Sequence, residues 1–561
     1  MPFRFLPALL LLTLCFPPSL SGFQSGGESS RNSWIIRPHF AEPPRRIPPL
    51  YPHAELKKPK VGLVLSGGGA RGISSLGVLK AFENHDIPVD LIVGTSMGAI
   101  VGGLYAAGYS VSQLIDLVDS TDWNDLLTFG DDARRRDMFL DQKLSEDRSL
   151  LVLRFDGFEP VIPEALSTGQ RLTNYLSIRA LQGIYHPSPG FDDLRVSFRA
   201  VTTDLVSGER VVIGSGDLAE AMRASATVPL LFSTVKKDTL QLLDGGLVSN
   251  IPVDVAWNEG ADLVIAVDAT SPLRPPDKLS APWEIADQII GIMMKQARDV
   301  QLALADIVVR PSIGNHLSSD FGGLDSLIAL GEEAGNAAIA ELRTLYQEKL
   351  NDLLFSEPVP QFLRDPLVRF DGSSLGWEWT VRLDSLLMRG SIGVREARAF
   401  VTAMYESGDF ATAEFEVMEE DTRTILTLRA VRNPLLTDVT FVGHSILSTD
   451  SLRRVMEPLL GQSMNVNRNR RAMEELLSLY RTRGYSLARV RSTSYDSATG
   501  VVTVFLDEGI VTRRTVVGTE RTKDYVIWRE LPWNQGDVFQ ASRVAQGLSN
   551  LYTTNLFEQV S

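Results

Sequence analysis

The sequence predicts an α/β domain followed by α+β repeats of β-α-α-β-β order. Three observations lead to this fold class. Short apolar runs such as Val61–Leu65 alternate with helical patterns up to about residue 350, which is typical of a buried parallel sheet with helices on its faces. After about Phe355 this alternation ends. The sequence then repeats at a nearly constant spacing, which indicates a repeated structural unit.

The N-terminus predicts an export signal over residues 1–21. Arg4 gives a short positive start, residues 5–16 are apolar, and Ser19-Leu20-Ser21 offers the small residues of a cleavage site. The apolar run is short for a membrane-spanning helix. The one cysteine, Cys15, lies inside this segment, so the mature chain is expected to hold no disulfide. Export without cysteine suits the bacterial cell envelope, in the periplasm or at the outer membrane, or secretion.

Composition marks one segment as a linker and limits the classes of partner that the chain can bind. Residues 22–58 are rich in proline, serine and glycine and predict an extended linker. The 561-residue chain has a net charge of −14, which argues against nucleic acid as a partner because phosphate binding needs clustered lysine and arginine. The exception is Arg134-Arg135-Arg136, for which a solvated stretch is favoured and a lipid headgroup contact is the alternative.

A glycine-rich loop follows the first apolar strand. The segment Ser66–Gly72 has consecutive glycines, which allow backbone N–H groups to turn into one pocket at a helix N-terminus. The loop also satisfies the Gly-x-Gly-x-x-Gly pattern of dinucleotide sites. That pattern needs an acidic residue after the second strand, where this chain has Gly94-Thr95-Ser96. An oxyanion-binding loop is therefore favoured, with Arg71 either steadying an anion or bracing the loop.

A candidate nucleophile follows the second apolar run. The run Val89–Val93 leads into Gly94-Thr95-Ser96-Met97-Gly98 and then into a helix rich in small residues. Flanking glycines permit a sharp strand-to-helix turn, which holds the Ser96 hydroxyl at the positive end of the helix. Because Gly-x-Ser-x-Gly arises by chance in a chain with 44 glycines, the prediction depends on the strand before the motif and the helix after it.

The candidate base is a carboxylate. None of the six histidines lies in a motif that supports a triad. Asp244-Gly245-Gly246 instead follows the probable strand Thr239–Leu243 and projects a carboxylate from its end. Such a group can act as the base if burial raises its pKa toward working pH. Taken alone, Asp-Gly-Gly is more often a simple turn.

These three blocks, in this order, resemble the signature blocks of the patatin-like phospholipases. The resemblance covers about Lys60 to Leu350. Intermediate stretches fit as well, namely Ala200–Glu209, Arg223–Pro229 and Asn250–Pro252.

The resemblance implies a three-layer α/β/α fold and a Ser–Asp dyad without a catalytic histidine. Ser96 corresponds to the nucleophile and Asp244 to the general base. The N–H groups of Gly67, Gly68 and Gly69 correspond to the oxyanion hole, with Arg71 beside them. The implied activity is hydrolysis of acyl esters in phospholipids or lysophospholipids at a membrane surface, with no metal and no cofactor. The same dyad also permits acyl transfer to an alcohol, and this alternative stays open.

The C-terminal part repeats. Tyr405, Tyr480 and Tyr552 each close a helical pattern, at intervals of 480 − 405 = 75 and 552 − 480 = 72 residues. The α/β region is predicted to span residues 59–350. The repeat units predicted after it are 351–432, 433–510 and an incomplete 511–561. The first begins with a strand near Leu367–Phe370 and holds an unusual insertion over Gly372–Met388. The third gives one strand and two helices.

This repeat resembles the POTRA domains of outer-membrane assembly and secretion proteins. The resemblance implies outer-membrane or unfolded polypeptide segments as partners. It also implies a parent protein in which a β-barrel follows, similar either to self-secreted lipases or to an outer-membrane protein whose enzyme is held on POTRA repeats. The competing hypothesis is a POTRA-based scaffold whose α/β domain is inactive or a passenger.

Within the α/β region, Trp283–Leu304 predicts a core helix, with a membrane-facing helix as the alternative.

Overall fold

The structure is a computed structural model that describes most of the chain. The described residues are 33–41, 47–123, 126, 154–156, 159–161, 165, 167–187, 190–271, 273, 276, 279, 282–354, 362–363, 366–372, 375–388, 392–419, 424–519, 522–554 and 556–557. The predicted export signal and the Arg134–Arg136 run lie outside these residues.

Three short strands precede an α/β domain. The short strands are β1 (Ser33–Ile36), β2 (Phe40–Ala41) and β3 (Glu55–Leu56). The strands of the α/β domain are β4 (Val61–Leu65), β5 (Leu91–Thr95), β6 (Arg154–Asp156), β7 (Glu159–Val161), β8 (Ser197–Asp204), β9 (Arg210–Ile213), β10 (Val235–Lys237), β11 (Leu240–Asp244), β12 (Leu263–Val267) and β13 (Ile307–Val309). Its helices are α1 (Ser74–Asn84), α2 (Met97–Ala106), α3 (Val111–Ser120), α4 (Gln170–Gln182), α5 (Leu218–Ser225), α6 (Gly246–Ser249), α7 (Val253–Asn258), α8 (Pro282–Leu302) and α9 (Leu324–Leu354).

The central sheet brings the candidate residues to one edge. Its order is β10-β11-β8-β5-β4-β12-β13, with β9 also paired to β8. Strands β8, β5, β4, β12 and β13 run parallel, so their carboxyl ends lie together. Strand β11 runs antiparallel to β8 and pairs Asp244 with Thr202. Because Thr95 pairs with Val201, Asp244 lies at the level of the residues that follow β5.

Both faces of this sheet are covered. Leu63 and Leu65 of β4 belong to one apolar core together with Leu76 of α1. Val64, between them, points to the other face and belongs to a second core with Val253 of α7. Continuous apolar runs are expected where a parallel strand is buried on both faces. The predicted α/β/α layering is confirmed.

Two units of β-α-α-β-β order follow, as predicted. The first holds β14 (Phe362–Leu363), β15 (Leu367–Gly372), α10 (Trp377–Leu387), β16 (Ile392–Gly393), α11 (Val394–Glu406), β17 (Phe410–Glu419) and β18 (Thr424–Arg432). The second holds β19 (Leu435–Leu436), β20 (Asp438–Val442), α12 (Thr449–Met456), β21 (Gln462–Ser463), α13 (Val466–Thr482), β22 (Arg489–Asp496) and β23 (Val501–Asp507). Helices α14 (Asp524–Trp528) and α15 (Ala541–Thr553) come after them.

Two details differ from the sequence prediction. The stretch expected as an insertion is largely α10, the first helix of the first unit. Its Trp379 and Leu383 are buried in the core of that unit, so the segment completes the fold. In the described part of residues 511–561 both expected helices are present, but the expected strand is reduced to a bridge between Ile510 and Val538.

The segment predicted as an extended linker packs on both units. Strand β1 pairs antiparallel with the outer edge of β17, placing Ile36 opposite Phe415. Ile36 is buried in the core of the first unit. Leu50 is buried in the core of the second unit. This segment therefore contributes apolar side chains to both units before the chain enters β4.

The second unit contacts the α/β domain through a buried arginine. Arg481, near the end of α13, donates hydrogen bonds to the carbonyl oxygens of Gly183 at 2.9 Å and Ile184 at 3.4 Å. It also donates to the carbonyl oxygens of Tyr485 and Ala488 in its own unit. Burial lowers the pKa of Arg481 to about 10, so the side chain stays charged at neutral pH.

We expect Arg481→Ala to destabilise the second unit by roughly 2–4 kcal/mol, because four carbonyl groups, two of them in buried hydrogen bonds, lose their donor. Differential scanning calorimetry of the full chain measures the effect as a lower transition temperature. Arg483→Ala, two residues away at an exposed position, is the matched control. Equal transition temperatures for the two variants would contradict the assigned role of Arg481.

The predicted burial of helix α8 is wrong for one of its faces, although Leu302 at its end is buried. Ile285, Ile289 and Ile292 are 46%, 52% and 54% exposed, so this face does not lie in the core. The side chains of Ile290, Met293 and Met294 lie outside the described ones. None of the described helices combines the length and apolar character needed to cross a membrane.

Candidate active site

Ser96 lies at the junction of β5 and α2 in a strained conformation. Its φ is 54° and its ψ is −124°, a backbone region that costs a non-glycine residue of the order of 1–3 kcal/mol. The turn is possible because Gly94 and Gly98 lack side chains. A Cβ atom at Gly94 would lie 2.5 Å from the Gly98 carbonyl oxygen, and one at Gly98 would collide with the Leu65 backbone. The predicted sharp turn is present.

A second serine holds this turn in place. The backbone N–H of Ser96 donates to the Ser225 Oγ atom at 2.9 Å. The Ser225 hydroxyl in turn donates to the Val201 carbonyl oxygen at 2.6 Å. Ser225 is fully buried at the end of α5. No local sequence pattern indicates this role of Ser225, because the contact joins residues 129 positions apart.

Asp244 lies beside Ser96, at the end of β11. The Ser96 hydroxyl is close enough to the Asp244 carboxylate to lower its pKa, and the Asp244 Oδ1 atom accepts the Gly246 N–H at 2.7 Å. Burial raises the pKa of Asp244 from 3.8 to about 6, against the opposing effects of the Ser96 hydroxyl and the Gly246 N–H. The carboxylate is therefore ionised at neutral pH yet basic enough to take a proton from a hydroxyl.

The backbone around Asp244 fixes its position. Its N–H donates to the Thr227 carbonyl oxygen at 2.8 Å, and its carbonyl oxygen accepts from the Thr203 hydroxyl at 3.0 Å. A Cβ atom on the next residue, Gly245, would collide with the Val201 backbone. The Asp-Gly-Gly sequence is thus a turn whose close packing requires glycine.

The glycine loop lies against the nucleophile. A Cβ atom at Gly67 would be 3.0 Å from the Ser96 Cβ atom. The Gly67 N–H donates to the Asn250 Oδ1 atom at 3.0 Å. The N–H groups of Gly68 and Gly69 have no hydrogen-bond partner among the described residues, as expected at the start of a helix. Two of the three predicted donors are therefore available to an oxyanion in this conformation.

Arg71 is directed away from the dyad. Its buried guanidinium donates to four backbone carbonyl oxygens, at distances of 2.9 to 3.2 Å. The acceptors are Ala269, Thr270, Gly314 and His316. This geometry fits the bracing alternative, since the side chain joins the loop to the segments after β12 and β13.

Gly98→Ala tests the close approach of α2 to β4. We expect at least a tenfold loss of kcat/KM on an acyl ester, because moving α2 shifts Ser96 relative to Asp244 by a fraction of an ångström or more. Gly190→Ala is the matched control, since that glycine has a φ of −114° and room for a Cβ atom. Equal activity of the two variants would show that the turn tolerates the added methyl group.

The side chains of three histidines have partners away from the dyad. His186 Nε2 contacts the Ser486 carbonyl oxygen, His316 Nε2 that of Asp320, and His85 Nε2 the Asn336 side chain. Across the described part of the chain, no group of three or more His, Cys, Asp and Glu side chains is arranged to hold a metal ion.

Two regions of the chain match known families. Residues 63–257 match the family described as patatin-like phospholipase. Residues 435–509 match the POTRA domain of the ShlB type.

Curated relatives match the first of these regions. The chain is 30% identical over 304 residues to lysophospholipase NTE1 of Scheffersomyces stipitis, covering 49% of this chain and 18% of that protein. It is 29% identical over 304 residues to patatin-like phospholipase domain-containing protein 6 of Homo sapiens, covering 49% of this chain and 20% of that protein. The chain thus spans about a fifth of the length of these relatives.

Solved structures give more distant matches. The N-terminal domain of Omp85 from Thermosynechococcus elongatus matches with a TM-score of 0.30 and 22% identity, over 36% of this chain and 90% of that one. The ExoU–SpcU complex of Pseudomonas aeruginosa matches with a TM-score of 0.29 and 16% identity, over 58% of this chain and 60% of that one.

The two family matches confirm both resemblances predicted from the sequence: residues 63–257 belong to a patatin-like phospholipase domain and residues 435–509 to a POTRA domain.

Proposed function

We propose that this protein is a lipid acyl hydrolase, a carboxylic ester hydrolase of the phospholipase A or lysophospholipase type. The observation that supports it most is the placement of the buried Asp244 carboxylate beside the strained Ser96, at the same edge of the sheet. The names of the curated relatives, a lysophospholipase and a patatin-like phospholipase domain-containing protein, suggest the substrate class.

The reaction begins with attack of the Ser96 Oγ atom on the ester carbonyl carbon. Asp244 takes the hydroxyl proton, and the N–H groups of Gly68 and Gly69 stabilise the oxyanion. Collapse of this intermediate breaks the ester bond, and the departing alcohol takes the proton from Asp244. Water then attacks the acyl-enzyme, again passing its proton to Asp244, and the fatty acid leaves as Ser96 recovers its proton. Gly67 joins the hole if Asn250 releases its N–H group.

The test is hydrolysis of a panel of fluorogenic phospholipids and lysophospholipids by the full chain. Turnover that disappears in a Ser96→Ala protein supports the proposal and ranks the headgroups. Turnover that survives in that protein, or no turnover on any member of the panel, contradicts it. Adding a primary alcohol to the reaction separates hydrolysis from acyl transfer, since transfer yields a new ester.

We infer a location in the bacterial envelope, with the POTRA units facing polypeptide partners. The predicted export signal and the POTRA match support this location. Binding of polypeptides is a second candidate function, favoured by one observation: β1 already adds an antiparallel strand to the edge of β17 in the first unit. The corresponding edge of the second unit is β22, and no described strand pairs with its outer side.

Fluorescence anisotropy of a labelled, unfolded outer-membrane protein segment tests this second function. We expect saturable binding to the full chain that Ser96→Ala leaves intact, since strand addition does not involve the dyad. Absence of saturable binding would contradict it. Binding without any esterase activity would instead favour the scaffold hypothesis.

A further inference from the structure

The exposed face of α8 is the first of three apolar features at one edge of the α/β domain. Ile285, Ile289 and Ile292 are spaced four and three residues apart, which places them on one side of the helix. Helix α8 follows β12 and leads back to β13, which is parallel to β12. Its N-terminal half therefore lies near the carboxyl edge of the sheet, where Ser96 and Asp244 lie.

Contacts connect α8 to the dyad. Helix α8 packs against α6, and α6 begins two residues after Asp244. Val248 of α6 is 39% exposed. An exposed apolar side chain thus lies within four residues of the candidate base, on the helix that α8 contacts.

The third feature is the turn that follows α5. The carbonyl oxygen of Thr227 in this turn accepts a hydrogen bond from the backbone N–H of Asp244. The next residue, Val228, is 37% exposed, and Leu230 is 69% exposed. Leu230 also has a φ of 67°, a conformation that is uncommon for a bulky residue and that is typical of functional sites. The backbone thus holds an exposed leucine three residues after Thr227, the hydrogen-bond partner of the Asp244 backbone.

We propose that these six side chains form an apolar rim that docks on the surface of a phospholipid bilayer and presents the dyad to the lipid. The rim consists of Val228, Leu230, Val248, Ile285, Ile289 and Ile292. The inference rests on the proposed function, because the rim lies at the sheet edge that holds Ser96 and Asp244, where the lipid ester would be cleaved. A lipid surface is the occupant that both covers the apolar side chains and leaves substrate at the mouth of the site.

Charge decides which kind of lipid surface the rim fits. The chain as a whole has a net charge of −14, so we expect its overall field to repel anionic headgroups. Docking must therefore come from insertion of apolar side chains into the interface, which is insensitive to salt. Neutral bilayers are the expected target.

Vesicle partitioning tests the rim directly. The full chain carrying Ser96→Ala, which cannot consume the lipid, is sedimented with phosphatidylcholine vesicles. We expect Leu230→Asp and Ile289→Asp, each added to this protein, to lower the partition coefficient at least about tenfold. Val517→Asp, at a position that is 92% exposed and outside the rim, is the matched control and is expected to change it less than twofold.

Three results would overturn the docking surface. The first is equal partitioning of the rim variants and the Val517→Asp control, with circular dichroism showing all of them folded. The second is partitioning that disappears when salt is raised, which would indicate electrostatic binding. The third is a dimer in sedimentation velocity that the rim variants dissociate, since a second copy would then be the occupant. Ile292→Gln is a milder variant should an aspartate prevent folding.

Hydrolysis of a soluble short-chain ester separates this inference from the proposed function. No Ser96-dependent turnover of that ester would count against the hydrolase, while vesicle partitioning still decides the docking surface. If the wild type hydrolyses the soluble ester but the rim variants partition onto vesicles as strongly as their parent protein, the result counts against the docking surface alone.

Discussion

Ser96→Ala is expected to reduce kcat/KM on phospholipid esters by at least about 10⁴-fold, the loss typical of removing a catalytic nucleophile. The oxyanion donors and the base remain in this variant, but neither forms the acyl-enzyme. The fold should be unaffected, because the Ser96 side chain makes no cap hydrogen bond at the start of α2. Stopped-flow or continuous fluorescence assays with a fluorogenic lysophospholipid measure the loss.

The control for Ser96→Ala addresses contaminating esterases. Ser497→Ala removes an exposed serine in the second POTRA-like unit and is purified in the same way. It should keep wild-type activity. A Ser96→Ala preparation as active as the Ser497→Ala preparation would mean that another serine, or another protein, performs the hydrolysis.

The sequence predicted the parts of the site that depend on local geometry. The turn at Ser96 needs a glycine on each side and a boundary between a strand and a helix. All three features can be recognised from the neighbouring residues in the sequence. Asp244 was legible for the same reason, as a carboxylate at a strand end. The fold class was also legible, because buried parallel strands are apolar throughout and the tyrosine spacing marks the repeats.

Contacts between segments that are distant in the sequence could not be predicted in this way. The hydrogen bonds that the Ser96 N–H donates to Ser225 and the Gly67 N–H donates to Asn250 join residues more than a hundred positions apart. The pairing of β1 with β17 joins the N-terminal segment to a unit almost four hundred residues later. Apolar periodicity alone cannot place a helix inside or outside a core, which is why the exposure of Ile289 on α8 was missed.

Asp244→Asn is expected to lower kcat/KM by at least about 10³-fold, because an amide cannot take the proton of Ser96. The wild type should itself lose activity as pH falls through about 6, where the Asp244 carboxylate gains a proton. A pH–rate profile of kcat/KM on a soluble ester measures this. An acidic limb near pH 4 instead would mean that the carboxylate is not desolvated as the structure places it.

The same substitution is expected to stabilise the α/β domain at neutral pH. Burial raises the pKa of Asp244 from 3.8 to about 6 in the folded state, so the folded state favours the protonated form. Its contribution to stability is fully present below pH 3.8 and is lost as pH rises through about 6. The difference between the two pKa values corresponds to about 3 kcal/mol. Asparagine keeps the neutral form and the acceptor for the Gly246 N–H at every pH.

Calorimetry at two pH values therefore gives a signature that a merely structural role for Asp244 would not produce. The Asp244→Asn and wild-type proteins should unfold at nearly the same temperature near pH 4. Near pH 8 the variant should have the higher transition temperature although it is inactive. If the variant is instead less stable at both values, Asp244 is a stabilising hydrogen-bonding residue and not a base whose buried charge costs stability. A gain in stability on losing activity is expected where a buried charge is maintained for catalysis rather than for folding.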